Sequence, residues 1–306
     1  MTQPQTQHFS WDGVAFRIPI DWDLSAHELA RGVTRLAMED TTDVRLEMEW
    51  IRPPQRVQAA TVRQRYLKLA KALTKTAAEV TDIKALPEDW AAFRYDMGDG
   101  RLLTLATFAA PVDGGPVCFI KLHDRFEPAA DPERVCRQIA DTFSHVETGF
   151  GDWRFYDVHL RLDRQFRLVG TALHAGRKFL QFQWGLRRLF VWVFSLADLV
   201  TRDHDMASWC AAYLNGFKGI RGRRFEVDEG GTIRSLSLWY HPLGHSEEIG
   251  RLCWNYRVDF RHVPQRNQIV LWVYHYRSTR DIRVLEAGFD PVPDGEQQSA
   301  DGKQPE

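Results

Sequence analysis

The chain has 306 residues, of which 44% are hydrophobic, 12% aromatic and 26% charged; this composition excludes a disordered or collagen-like polymer. Its 40 Lys and Arg nearly balance 41 Asp and Glu, so no global field draws it to nucleic acid or acidic lipid. The length suits two domains better than one.

Met1 to His8 is polar, and no Lys or Arg precedes Arg17, so no signal peptide is expected. The most apolar stretch, Leu189 to Val200, contains Asp198 and falls short of the ~20 apolar residues that span a bilayer, so no membrane insertion is expected. Cys118, Cys136, Cys210 and Cys253 form no C-x-x-C pair. They read as reduced thiols in a cytoplasmic protein.

In chain order, Phe16-Arg-Ile-Pro-Ile-Asp-Trp-Asp-Leu24 leads to Gly32 and Leu36. Val44, Leu46 and Met48 then alternate with Arg45, Glu47 and Glu49, which predicts a strand. Val62, Tyr66, Leu69 and Leu73 recur at helical spacing. Cys118 to His123 is a strand ending in His, and Asp131 and Pro132 open a closing helix that buries Val135, Ile139 and Phe143.

The same order then repeats. Leu160 to Leu168 leads to Gly176 and Leu180, with the two glycines 144 residues apart. Leu189, Val191 and Val193 alternate with Phe190, Trp192 and Phe194, and are set against Val44, Leu46 and Met48 one residue further along. Trp209, Tyr213 and Phe217 predict a helix in which Tyr213 matches Tyr66, with Asp203 or Asp205 as its N-cap. Val270 to His275 matches Cys118 to His123, and Ser278 with Asp281 is spaced as a capping box for a helix burying Ile282, Leu285 and Phe289.

Turns such as Met97-Gly-Asp-Gly100 and Asp228-Glu-Gly-Gly231 favour hairpins. The predicted fold class is therefore α+β: two similar domains, each a largely antiparallel sheet flanked by two helices, related by a pseudo-twofold. The expected domains are 1–148 and 152–290, parted at the two glycines of Thr148-Gly-Phe-Gly-Asp152, with 291–306 as a disordered tail.

The motif Phe16-Arg-Ile-Pro-Ile-Asp-Trp22, followed by strand, helix, meandering strands and a closing helix, resembles the PsbP-like superfamily, which includes the DcrB-type proteins. The second copy lacks both the Pro and the Trp between Leu162 and Phe166. What the resemblance implies is a non-enzymatic accessory, assembly or chaperone-like module that binds other proteins; it carries over no catalytic residue.

No P-loop, G-x-G-x-x-G, H-E-x-x-H or paired C-x-x-C occurs, and no cofactor or metal is predicted. Gly244-His-Ser-Glu-Glu248 lacks the second glycine of a nucleophile elbow and reads as a loop. His241 and His245 flank Pro242 and Gly244, which make a turn rather than a metal-binding helix face. His123 and His275 fall at matching positions, and are candidates for an interdomain cleft.

Residues 151–290 hold 21 basic against 15 acidic side chains, and seven of the 11 tryptophans lie beyond residue 150. Apolar residues fill both faces of the strands around Trp192 and Trp272, so something must cover both. The favoured reading is a protein-binding module that grips another protein through Trp239, Tyr240, Trp272, Tyr274 and Tyr276. One alternative is an enzyme or small-ligand binder at a cleft near His123 and His275, with Asp203 or Glu247 as acid-base partners. Another is a nucleic-acid binder using the basic patch Lys218, Arg221, Arg223 and Arg224.

Overall fold

The computed structural model describes residues 5–30, 32–74, 77, 79–125, 133–203, 205–220, 223–237 and 255–291. The chain divides into two compact units, Met1–Tyr156 and Asp157–Glu306.

The first unit opens on a hairpin of β1 (Thr6–Trp11) and β2 (Val14–Pro19), followed by the meander β3 (Asp23–Ala30), β4 (Val33–Glu39) and β5 (Val44–Ile51). Gly32, at φ 78°, makes the β3–β4 turn, a left-handed conformation that glycine adopts without a Cβ clash. Helix α1 (Ala59–Thr74) precedes β6 (Glu79–Ile83), β7 (Trp90–Asp96), β8 (Arg101–Ala109) and β9 (Val117–Arg125). Helix α2 (Arg134–Thr142) leads to β10 (Ser144–His145) and β11 (Phe150–Phe155).

Seven of these strands form one antiparallel sheet in the order β3-β4-β5-β9-β8-β7-β6. Strands β10, β2, β1 and β11 pair side by side as a second layer. Alternation in β1 and β2 buries Phe9, Trp11, Phe16 and Ile18. The Trp11 ring lies 5.0 Å from that of His27 on β3, and Phe143, just past α2, meets Phe108 of β8 at 4.5 Å. On the other face of the larger sheet, α1 sets Val62 against Ala109, Val117 and Phe119, and Tyr66 against Tyr95, Leu103 and Leu105.

The second unit contains β12 (Val158–Asp163), β13 (Arg167–His174), β14 (Arg177–Trp184) and β15 (Arg187–Ser195), then the short α3 (Ala197–Val200) and α4 (Met206–Gly216). The hairpin β16 (Arg223–Val227) and β17 (Ile233–Ser237) follows, then β18 (Asn255–Val263), β19 (Gln268–Tyr276), α5 (Thr279–Gly288) and β20 (Phe289–Asp290). The main sheet runs β13-β14-β15-β19-β18, the order in which β3-β4-β5-β9-β8 run in the first unit. Gly176 at φ 75° makes the β13–β14 turn as Gly32 does for β3–β4. A β-bulge follows Leu24 in one edge strand and Leu168 in the other.

Among the described residues 53% are in strands and 19% in helices, so the expected α+β class, with two helices flanking each sheet, is overturned: the fold is mostly β. The expected helices form in the first unit as α1 and α2, but the alternating rings of β1 and β2 add there a covering layer of strands that was not expected.

The helix ends follow local chemistry. Asp205 caps α4, its carboxylate accepting from the Ser208 N–H at 2.9 Å. Ser278 and Asp281 form the capping box of α5, which buries Asp281 and Leu285. Helix α2 buries Cys136, Ile139 and Ala140, with Phe143 at its C-cap rather than on its face; Asp131 and Pro132 lie outside the described residues. Among the described residues no helix is long and apolar enough to cross a membrane.

Candidate functional site

Two neighbouring rungs of the seven-stranded sheet define the site. On the first, Glu28 of β3, Arg35 of β4, Glu49 of β5 and Phe119 of β9 stand directly opposite one another in turn. On the second, Ala26, Ala37, Glu47 and Lys121 do the same. Residues two apart on a strand share a face, so both rungs present their side chains to the side on which α1 lies. Helix α1 lies over β7 and β8, and beside it the sheet lines a cavity of about 520 Å³. Ala26, Ala37, Leu105 and the rings of Tyr66 and Phe119, whose centroids are 5.6 Å apart, make its apolar surface.

Charge is concentrated on the same rungs. Arg35 links two carboxylates, at 3.0 Å from Glu28 and 3.2 Å from Glu49. Glu47 accepts from Lys121 Nζ at 2.9 Å and meets His123 Nε2 at 2.6 Å. Burial works to raise the pKa of Glu47, but the hydrogen bonds from Lys121 and His123 outweigh it and hold the carboxyl below its ordinary value. Tyr66 is pushed the other way: burial first, then Tyr95 and the charge of Glu49, raise its phenol well above the usual range. His27, between Ala26 and Glu28 on β3, turns its ring to the other face of the sheet, toward Trp11, and burial lowers its pKa.

The equivalent rungs of the second unit carry different chemistry. Ala172, Phe179, Trp192 and Leu271 stand opposite one another where the first unit has Glu28, Arg35, Glu49 and Phe119. The next rung carries Gly170, Gln181, Phe190 and Val273. The rings of Phe179 and Trp192 are 5.1 Å apart, and Phe217, the C-cap of α4, meets Trp192 edge-on at 5.0 Å. Trp192 and Phe190 are buried at 0% and 3% exposure. The side of the sheet that bounds a cavity in the first unit is packed with rings in the second.

That packing relocates the aromatic surplus read from the sequence. One face of the β13–β19 sheet is covered by α4 and the β16–β17 hairpin. On the other, Trp272 meets Phe289 at 5.7 Å and Tyr274 meets Phe166 at 6.3 Å. Tyr274 is fully buried, so it offers no surface to a partner. Trp272 and Tyr276 are half-buried, and Trp239 and Tyr240 lie outside the described residues.

The histidines differ in their surroundings. His123 sits at the Glu47 end of the second rung. His275 stacks on Tyr256 at 4.6 Å, and burial, followed by Arg188, Arg223 and Arg277, lowers its pKa to about 4. Its imidazole is therefore neutral at physiological pH. Asp203 is exposed, and Glu247, His241 and His245 lie outside the described residues.

Within the basic patch, Arg223 lies over the Tyr256 ring at 5.1 Å and Arg224 pairs with Glu226 at 3.1 Å. Lys218 is exposed, and Arg221 lies outside the described residues. Cys118, Cys136 and Cys210 are buried, and burial raises all three thiols, which leaves them poor nucleophiles. Among the described residues no group of three or more His, Cys, Asp or Glu is placed to hold a metal ion.

Sequence reasoning named His123 and Tyr66 but not Glu28, Arg35, Glu47, Glu49 and Lys121 as a site. The usable signal was the exchange of Glu47 and Glu49 for Phe190 and Trp192 between the two copies. No family model and no curated protein matches the chain.

Proposed function

We propose that the protein is a non-catalytic binding protein whose first unit holds a small amphipathic ligand against the β3–β4–β5–β9 part of its larger sheet. The observation that carries this reading is the contrast between equivalent rungs: Phe179, Phe190 and Trp192 fill one unit, while Arg35, Glu47 and Glu49 border a cavity of about 520 Å³ in the other. A cavity of this size, with an apolar floor and a few convergent polar groups, has the character of small-molecule sites. The ligand's apolar body takes the place that aromatic side chains take in the second unit.

Tyr274 and Trp192 are enclosed in their own core, which disfavours a partner gripped by second-unit aromatics. The test is a titration with the uncharged fluorophore N-phenyl-1-naphthylamine, in the wild type and in Ala37→Trp. Saturable binding at one site that the bulky substitution removes supports the reading. Equal binding by both proteins, or none by either, contradicts it.

A further inference from the structure

The cavity's charges point to the class of ligand. Its lining holds three carboxylates, Glu28, Glu47 and Glu49, against two permanent cations, Arg35 and Lys121. His27 also borders the cavity, but its ring turns to the opposite face of the sheet, against Trp11, and adds no charge to the lining. The lining is therefore one negative charge in excess at neutral pH.

The position of that excess follows from the pairing. Glu47 already meets two basic side chains, Lys121 and His123. Glu28 and Glu49 share the single guanidinium of Arg35, each through one oxygen. An ionised carboxylate has two oxygens and about four acceptor sites, so these two retain capacity for a further cation. Both are close to half exposed, Glu28 at 57% and Glu49 at 46%.

Aromatic faces lie beside the same carboxylates. Phe119 is the direct cross-strand neighbour of Glu49, and Tyr66 packs against Phe119. The charge of Glu49 reaches the Tyr66 phenol strongly enough to help raise its pKa. Carboxylates flanking ring faces are the arrangement that holds an organic ammonium, by ion pairing and by attraction of the cation to the ring quadrupole. An anionic ligand would have to displace glutamates from Arg35 and Lys121.

We infer that the cavity takes an organic cation, an alkyl- or arylammonium whose apolar body lies on Tyr66 and Phe119 while its charge is met by Glu28 and Glu49. This rests on the ligand-binding reading above and goes beyond it by fixing the sign of the ligand's charge. Tyr66 and Phe119 then act as the floor, and the Arg35 guanidinium positions the two carboxylates.

The test compares three phenyl-bearing probes by ligand-observed NMR and calorimetry: benzyltrimethylammonium, its uncharged isostere neopentylbenzene, and the anion 3-phenylpropionate. The cation should bind about tenfold more tightly than either of the others, a margin of about 1.4 kcal/mol that its pairing with Glu28 and Glu49 supplies. In the doubly substituted Glu28→Gln, Glu49→Gln protein, whose exposed side chains are replaced by near-isosteres, that margin should disappear while the uncharged probe binds as before. Equal affinity for cation and isostere, tighter binding of the carboxylate, or a margin untouched by the double substitution overturns the inference and leaves the cavity reading standing. Failure of all three probes to bind overturns both.

Discussion

Glu49 and Trp192 stand on the same rung of two sheets built in the same strand order: Glu49 lies between Arg35 and Phe119, and Trp192 between Phe179 and Leu271. One side chain is nearly half exposed at a cavity and the other is wholly buried. The two positions should therefore answer substitution differently. Trp192→Ala removes a large buried ring and should cost about 3–5 kcal/mol. Glu49→Ala, on the open face, should stay within about 0.5 kcal/mol. Denaturant unfolding followed by circular dichroism checks both; comparable losses at the two sites would contradict the contrast.

A second prediction concerns Asp281. Its carboxylate meets Arg187 Nη2 at 2.6 Å and accepts the backbone N–H groups of Arg277 and Ser278, both at 3.1 Å. It is buried and its pKa is lowered: burial opposes the shift, but the Arg187 bond and the two N–H donors outweigh it. Asp281→Ala removes the helix cap and leaves a half-buried guanidinium without its partner, at a cost of about 3 kcal/mol. Asp281→Asn, which keeps an acceptor for the N–H groups, should lose less. Chemical denaturation of the pair of variants decides it, and equal losses would place the whole effect in the ion pair.

Acid should destabilise the fold in two stages. The folded pKa of His275, about 4, lies below its ordinary 6.5, so the unfolded chain takes up that proton first. Stability from this group falls as pH drops from about 6.5 to about 4 and then levels. The folded pKa of Glu47 lies below its ordinary 4.5, so its contribution is complete above that value and is lost as pH falls through the depressed one. Urea midpoints measured across this range should show His275→Gln flattening the upper stage and Glu47→Gln the lower. An upper slope unchanged in His275→Gln would contradict the assignment.

Local signals in the chain were readable without a structure. The α5 capping box, the Asp205 cap, the matched glycines Gly32 and Gly176, and the matched strands that carry His123 and His275 all depend on residues close together in sequence, where side-chain and backbone chemistry decide the outcome; the strands themselves run on to Arg125 and Tyr276. The rung assignments were less accessible. Leu122 faces Leu46, and Tyr274, its counterpart in β19, faces Leu189. Leu189 therefore corresponds to Leu46, two residues from the Val44 match that alternation suggested, because a period of two cannot distinguish registers that differ by two.

The candidate site was hidden for a related reason. Glu47 and Glu49 alternate with buried residues and so read as a solvated strand face. Their significance depends on Lys121, which is 74 residues from Glu47 in sequence and hydrogen-bonded to it in the fold. The aromatic surplus of the second half was read correctly in composition, yet its rings close on one another through contacts between β14, β15 and α4 that no local pattern reveals.

If the first unit's open sheet face binds ligand, backbone amide shifts followed by TROSY NMR during titration with N-phenyl-1-naphthylamine will report it. The expected result is a set of saturable shifts confined to the rungs of Glu28, Arg35, Glu47 and Lys121 and to Tyr66, with the amides around Phe179 and Trp192 unmoved. Shifts centred on the second unit's sheet, or the absence of any saturable shift, would contradict the account.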